Sequence, residues 1–191
     1  MSQKLSIFPL TGAILFPQLQ LPLHIFEPRY RAMASDALAR DRRIAMIQPR
    51  RGGDDSPLYD VGCIGRIGEV EAMDDGRYNI VLDGLMKFRI LSEDASRAYR
   101  LAEVEALPEV VEGSERPVLA QSRRQLERAL RSFSPAMRLP PADVADEDVV
   151  DGVSAVVPLA PADRQELLEA DGPIERATRL IGFLAKAAVP L

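Results

Sequence analysis

The spacing of the apolar residues changes once along this 191-residue chain, and that change limits what the chain can fold into. Apart from a helix after Pro28, where Tyr30, Met33, Ala34, Ala37 and Leu38 follow at helical spacing, apolar side chains recur at every second position up to about residue 107, as in RYNIVLD (Tyr78, Ile80, Leu82) and MKFRI (Met86, Phe88, Ile90). Beyond it they recur at every third or fourth. A period of two puts side chains on alternate faces of a strand, whereas the longer period draws one stripe along a helix. The chain therefore reads as α+β, with strands first and helices after.

The strands can be placed in register, because directly paired residues share a face. A three-residue loop at Asp74-Asp75-Gly76 pairs Ala72 with Tyr78 and Val70 with Ile80, with Gly76 where a positive φ is wanted. A second such loop at Asp83-Gly84-Leu85 pairs Leu82 with Met86 and Ile80 with Phe88. Together they predict a meander over residues 62–92. KLSIFPL, AILFPQLQLPL, RIAMIQP and YRLAEVEAL supply further strands, and short strands around one helix suggest a small barrel. The segment 49–60, rich in Pro, Gly and charge, is expected to be a mobile loop that proteases cut early after Arg50 or Arg51.

Pro108, Gly113 and Pro117 mark a linker. Three helical stripes follow: Leu119, Leu126, Leu130 and Phe133; Val149, Val153, Val156 and Val157; Ile174, Ala177, Ile181, Leu184 and Ala188. A shorter helix starts at Pro161, with Asp163 near its positive end. The reading divides the chain into a barrel over 1–107, a linker over 108–117 and a helical bundle over 118–191.

LPLHIFEPRYRAM, residues 21–33, holds the only histidine. Pro28 suits the first turn of a helix, where its missing N–H costs nothing, and Glu27 suits the cap. The stretch is read as a strand-to-helix corner in preference to an acid–base pair of His24 and Glu27, which would also need a cleft.

Other chemistry is sparse. GCIGRIG lacks the following helix that a phosphate cradle needs and reads as a bent or bulged strand. DEDVVDG fails the calcium-loop pattern, since Val150 and Val157 fall on ligand positions. One His and one Cys cannot make a zinc site, and Cys63 reads as a small buried hydrophobe. No G-x-x-x-x-G-K-[ST] loop is present. Arg40, Arg42, Arg43, Arg50 and Arg51 make RDRRIAMIQPRR locally basic, read as the solvated ends of a strand. The net charge of −5 disfavours nucleic acid. Absence of a long apolar run and of a signal peptide points to a cytoplasmic protein with no membrane span.

Phe8-Pro9-Leu10, Leu15-Phe16-Pro17, the run Leu21 to Tyr30, Val61-Gly62, DGRYNIVLDGLMKFRIL and LLEADGPIERATRLIGFL together resemble the N-terminal substrate-recognition domain of the ATP-dependent protease Lon. Two departures stand out. Gly62-Cys63-Ile64-Gly65 replaces the family's usual Gly-Thr-Val-Ala, and Ala160 stands where a capping Ser is common. The resemblance implies a PUA-like β-barrel of about six strands with one helix, followed by a small C-terminal helical bundle. It also implies a stand-alone recognition module without the ATPase and Ser-Lys peptidase domains. Such a module would have no catalytic residue, cofactor or metal. It would bind exposed or unfolded segments of protein clients as an adaptor that serves a protease or chaperone. The binding surface is expected at the seam of barrel and bundle near His24 and Arg29, with the loop carrying Tyr59. An RNA-binding PUA-like protein is the alternative reading, and a hydrolase with a cleft at the seam is a third.

Overall fold

The computed structural model describes residues 2–52, 56–94 and 96–187. The chain forms two compact units, Met1–Pro108 and Glu109–Leu191. The first holds β1 (Ser2–Pro9), β2 (Gln20–Ile25), α1 (Pro28–Leu38), β3 (Arg43–Ile47), β4 (Val61–Ala72), β5 (Tyr78–Asp94) and β6 (Leu101–Leu107). The sheet order is β2-β5-β4-β3-β1-β6, and β6 returns to pair with β5, which closes a barrel. β1 and β3 are parallel; the other pairings are antiparallel. β2 pairs with β5 alone among the described residues.

The turn at Asp74-Asp75-Gly76 has the expected register, Ala72 opposite Tyr78 and Val70 opposite Ile80, with Gly76 at φ +80°. The second predicted loop is not a turn. β5 runs straight through Asp83-Gly84-Leu85, with Gly65 opposite Gly84 and Ile64 opposite Met86, so Leu85 is an extra residue in a bulge. The cause lies outside the strand. The tight turn after Phe16, which replaces the strand expected over residues 13–19, docks on Gly84. There Gln18 donates its N–H to the Gly84 carbonyl at 2.9 Å, and Gly84 donates to Leu19 O at 2.8 Å. A Cβ on residue 84 would lie 2.1 Å from Phe16 O, so only glycine admits the turn. The bulge also exchanges faces: Ile80 and Leu82 pack in the cluster under α1, while Phe88, of the same parity, packs in the opposite cluster with Leu5, Ile7 and Ile64.

Residues 49–60 differ from the expected free loop. Pro49 bridges Leu58, Arg50 donates its N–H to Pro57 O at 2.8 Å, and Leu58 is buried. The two ends are zipped because Leu58 has a core to enter; residues 53–55 of that expectation lie outside the described residues.

The second unit holds α2 (Arg116–Phe133), α3 (Asp146–Val156), α4 (Pro161–Glu169) and α5 (Gly172–Ala187). α2 starts inside the expected linker, with Pro117 in its first turn. Leu119, Leu126, Leu130, Val149, Val153, Val157, Ala177 and Leu184 are buried as the stripes predict. Val156 is exposed, however, and Leu180 is buried in its own stripe; Ala188 lies outside the described residues. The largest fully buried side chain is a charged one, Arg176. Its guanidinium donates to Leu167 O at 2.9 Å, to Asp151 Oδ1 at 2.5 Å and to Glu109 Oε1 at 2.7 Å. Burial pushes the Asp151 carboxyl up to about 6, opposed by Arg176 and assisted by Glu109.

α4 begins without a side-chain cap, since its N-cap is Ala160 in extended conformation. An Ala160→Ser replacement places a hydroxyl where an orphan N–H needs an acceptor, and should raise stability by about 1 kcal/mol in denaturant unfolding.

Candidate functional site

β2 alternates. Leu23 and Ile25 turn toward the core under α1, which leaves Pro22, His24 and Phe26 on the outer side. The register sets His24 opposite Asn79 on β5, and Asn79 opposite Glu71 on β4. The three therefore lie in one row on one face of the sheet, where cross-strand neighbours interact.

They are joined by hydrogen bonds whose polarity can be worked out. The Glu71 carboxylate only accepts, so it takes the Asn79 Nδ2 donor at 2.7 Å. That turns Asn79 Oδ1 toward His24, 2.7 Å from Nδ1, so Nδ1 carries the hydrogen. The Arg77 guanidinium, which only donates, faces Nε2 at 3.4 Å. The row thus links an imidazole, an amide and a carboxylate across three strands.

Beside it, the Phe26 ring stacks on His24 with centroids 6.0 Å apart and is 59% exposed, an unusual setting for a large apolar side chain next to a sheet. Val70 is also exposed, at 41%. An open groove of about 490 Å³ runs over this face, lined by Pro22, Leu23, His24, Glu69, Val70 and Glu71 with Asn79, Ile80 and Val81.

The sequence-predicted residues fall differently. His24 sits in the groove, but its partners are Asn79, Arg77 and Phe26 rather than Glu27. Glu27 occupies the N-cap of α1 without a side-chain cap bond, and its carboxylate instead takes Arg29 at 2.8 Å. Arg29 also covers the Tyr30 ring at 4.5 Å. Tyr59 is elsewhere: it precedes the first residue of β4, whereas His24 lies level with Glu71 near the other end. Ten residues of strand, on the order of 30 Å, separate those ends. Arg50 stacks on the Tyr59 ring at 4.6 Å. Phe26, Val70 and Asn79 were not among the predicted residues. The Val70–Ile80 register carried the signal for Val70 and Asn79.

A second cavity of about 490 Å³ is lined by Lys4, Arg40, Arg43 and Arg97 among others. Three of these four cations are tied to acids, Lys4 to Asp94, Arg43 to Asp41 and Arg97 to Asp36. The Lys4 ammonium, with Ser96, holds the Asp94 carboxyl down at about 2. The basic stretch RDRRIAMIQPRR is likewise tied to acids at Arg43 and, through Asp60, at Arg50. Among the described residues no group of three or more His, Cys, Asp or Glu is placed to hold a metal ion. No described helix is long and apolar enough to cross a membrane.

A barrel of mixed strands followed by a helical unit, with a part-apolar groove on the outer sheet face, places the chain in a specific α+β class. The model of the ATP-dependent protease La (LON) substrate-binding domain matches residues 4–186, and the chain belongs to that family. It is 30% identical over 183 residues to Lon protease 2 of Sorangium cellulosum, covering 88% of this chain and 23% of that protein. It is 30% identical over 179 residues to Lon protease 2 of Syntrophobacter fumaroxidans, covering 87% and 22%. The chain thus spans under a quarter of the length of these curated relatives. Two solved structures share the fold. One is the N-terminal domain of Mycobacterium avium complex Lon protease, with TM-score 0.70 and 19% identity, covering 96% of this chain and 98% of that one. The other is a Lon N-terminal domain protein from Xanthomonas campestris, with TM-score 0.68 and 20% identity, covering 95% and 98%. The matches reach the substrate-binding domain of Lon and no ATPase or peptidase domain within this chain.

Proposed function

We propose that the protein is a non-enzymatic, cytoplasmic recognition module that holds exposed or unfolded segments of protein clients, as an adaptor for a protease or chaperone. We further propose that it does so through the groove beside His24 and Phe26. The observation that carries this is the Phe26 ring, 59% exposed directly after β2 and stacked on the groove residue His24, in a member of a substrate-binding family. A ring kept in water at that position is most simply accounted for by a partner that covers it. Arg29 contributes by fixing Glu27 at the start of α1, directly after Phe26. Tyr59 belongs to a separate surface in this reading.

A segment must already be unfolded to lie along such a groove. Burying a few hundred Å² of apolar surface at about 25 cal/mol per Å² gives several kcal/mol before association and ordering costs. The dissociation constant should therefore be micromolar or weaker, no better than about −8 kcal/mol. The test titrates a reduced, permanently unfolded protein at low and high salt, beside a structured RNA. Weak binding that changes little with salt is expected, with roughly tenfold loss in Phe26→Ala. Preference for RNA with affinity collapsing as salt rises would replace this reading by the RNA-binding one. The same preparation should show no turnover of ATP or of a fluorogenic protein substrate. Activity that co-elutes with the protein through further purification would overturn the non-enzymatic part.

A further inference from the structure

The charged residues that line the groove are both acidic, Glu69 and Glu71, and they lie two apart on β4, on the face they share with Val81 and Asn79. Glu71 is held in place by Asn79, itself held by His24, so its carboxylate is pre-positioned at the groove wall. The cation that faces His24, Arg77, is bonded to Asp75 at 2.6 Å and leaves the groove's charge uncompensated. Apolar surface at Pro22 and Val81, with the Phe26 ring beside it on His24, thus meets a rim of one sign.

We infer that the groove selects a particular class of client segment: an extended stretch with an apolar side chain for the Pro22 and Val81 surface beside Phe26, flanked by Lys or Arg for Glu69 and Glu71. This rests on the proposed client-binding reading and adds to it which segments are preferred. Acidic segments of equal hydrophobicity would meet like charge and be rejected, so the carboxylates act on selectivity while the apolar contact supplies most of the affinity.

Two labelled peptides with one apolar core, flanked either by lysines or by glutamates, test this by anisotropy titration, with the permanently unfolded protein as a third ligand. The lysine-flanked peptide should bind about five- to tenfold more tightly at low salt, the effect of one or two exposed ion pairs. The preference should shrink as salt is added. The double variant Glu69→Gln with Glu71→Gln should bind both peptides alike, since the amide side chain introduced on β4 retains an oxygen for Asn79 and the sheet is undisturbed. A control that neutralises Glu103 and Glu105, on β6 and outside the groove lining, changes net charge equally and should keep the preference. Equal binding of the two peptides by the unmodified protein, or a preference lost equally in the control, would overturn the inference. If the unfolded protein still bound, the client-binding reading would stand in either case. Loss of binding of all three ligands would remove both. Concentration-dependent self-association abolished by Phe26→Ala would assign the groove to a second copy of this chain and overturn the inference as well.

Discussion

Replacing Arg176 by alanine is expected to cost the helical unit about 3–5 kcal/mol, because it strands charges that are buried only as a set. Arg176 is fully buried and bonds both the buried Asp151 and the part-buried Glu109. Without it, two carboxylates lose their shared cation, and Leu167 O loses a donor. The loss should depend on pH in a definite direction. Burial has already raised the folded-state carboxyl of Asp151 above its ordinary value of 3.8, to about 6. A group raised in the folded state favours folding at low pH, and that contribution is lost as pH rises through its folded value. Acidifying from pH 7 toward 5 should therefore stabilise the unmodified protein through this group. In Arg176→Ala the carboxyl rises further, so acidification should recover part of the loss. Denaturant unfolding at pH 7 and pH 5 measures both, and an equal deficit at the two values would show that Asp151 does not titrate there. Replacing all three residues by apolar ones of similar volume should be far milder than removing Arg176 alone.

Gly84→Val is expected to destabilise the barrel by about 3 kcal/mol or more, lowering its midpoint by roughly 10–20 °C. Valine suits strands in general, so the expected effect is opposite to propensity. The new Cβ would sit 2.1 Å from Phe16 O, a backbone atom that cannot rotate aside. Either the turn lifts away, losing the hydrogen bonds of Gln18 and Leu19 and exposing Leu15 and Phe16, or β5 buckles at its bulge. Gly52, with nothing within 4 Å of its would-be Cβ, is the control: Gly52→Ala should be close to neutral. Thermal unfolding of the two variants side by side decides it, and a Gly84→Val protein as stable as the control would refute the docking account.

These two sites also show where sequence reading stops. Asp75-Gly76 and Asp83-Gly84 are the same dipeptide between alternating residues, yet the first turns the chain and the second does not. The difference is made by Phe16, distant in sequence, whose turn needs the space at residue 84. Strand existence, the first register and the corner at Pro28 rest on nearest-neighbour chemistry and were legible. The bulge rests on a long-range contact and was not. The burial of Arg176 rests likewise on distant partners, Asp151 and Glu109, which its neighbours in sequence do not announce. At the groove the legible part was larger than the part taken up. Once Val70 is set against Ile80, Glu71 must face Asn79, but which histidine partner wins depends on how β2 is laid beside β5. Exposure of Phe26 has no local signature at all.

The way the barrel closes has a consequence for a chain still emerging from the ribosome. β1 can lie along β3 once the chain is out as far as Ile47, but its other edge is sealed only by β6, where Ser2 meets Glu105. The second half of β5 waits for the same strand, with Lys87 opposite Leu107 and Ile90 opposite Val104. Until Leu101–Leu107 is made, the edges of β1 and of the second half of β5 stay open, both bordered by apolar residues. Open edges invite pairing with other chains, and slow non-local pairing prolongs the interval. A single seven-residue strand, made after all the others of the barrel, covers both of these edges at once. Stalling just before it should leave this protein in need of the kind of capture that it is itself proposed to give.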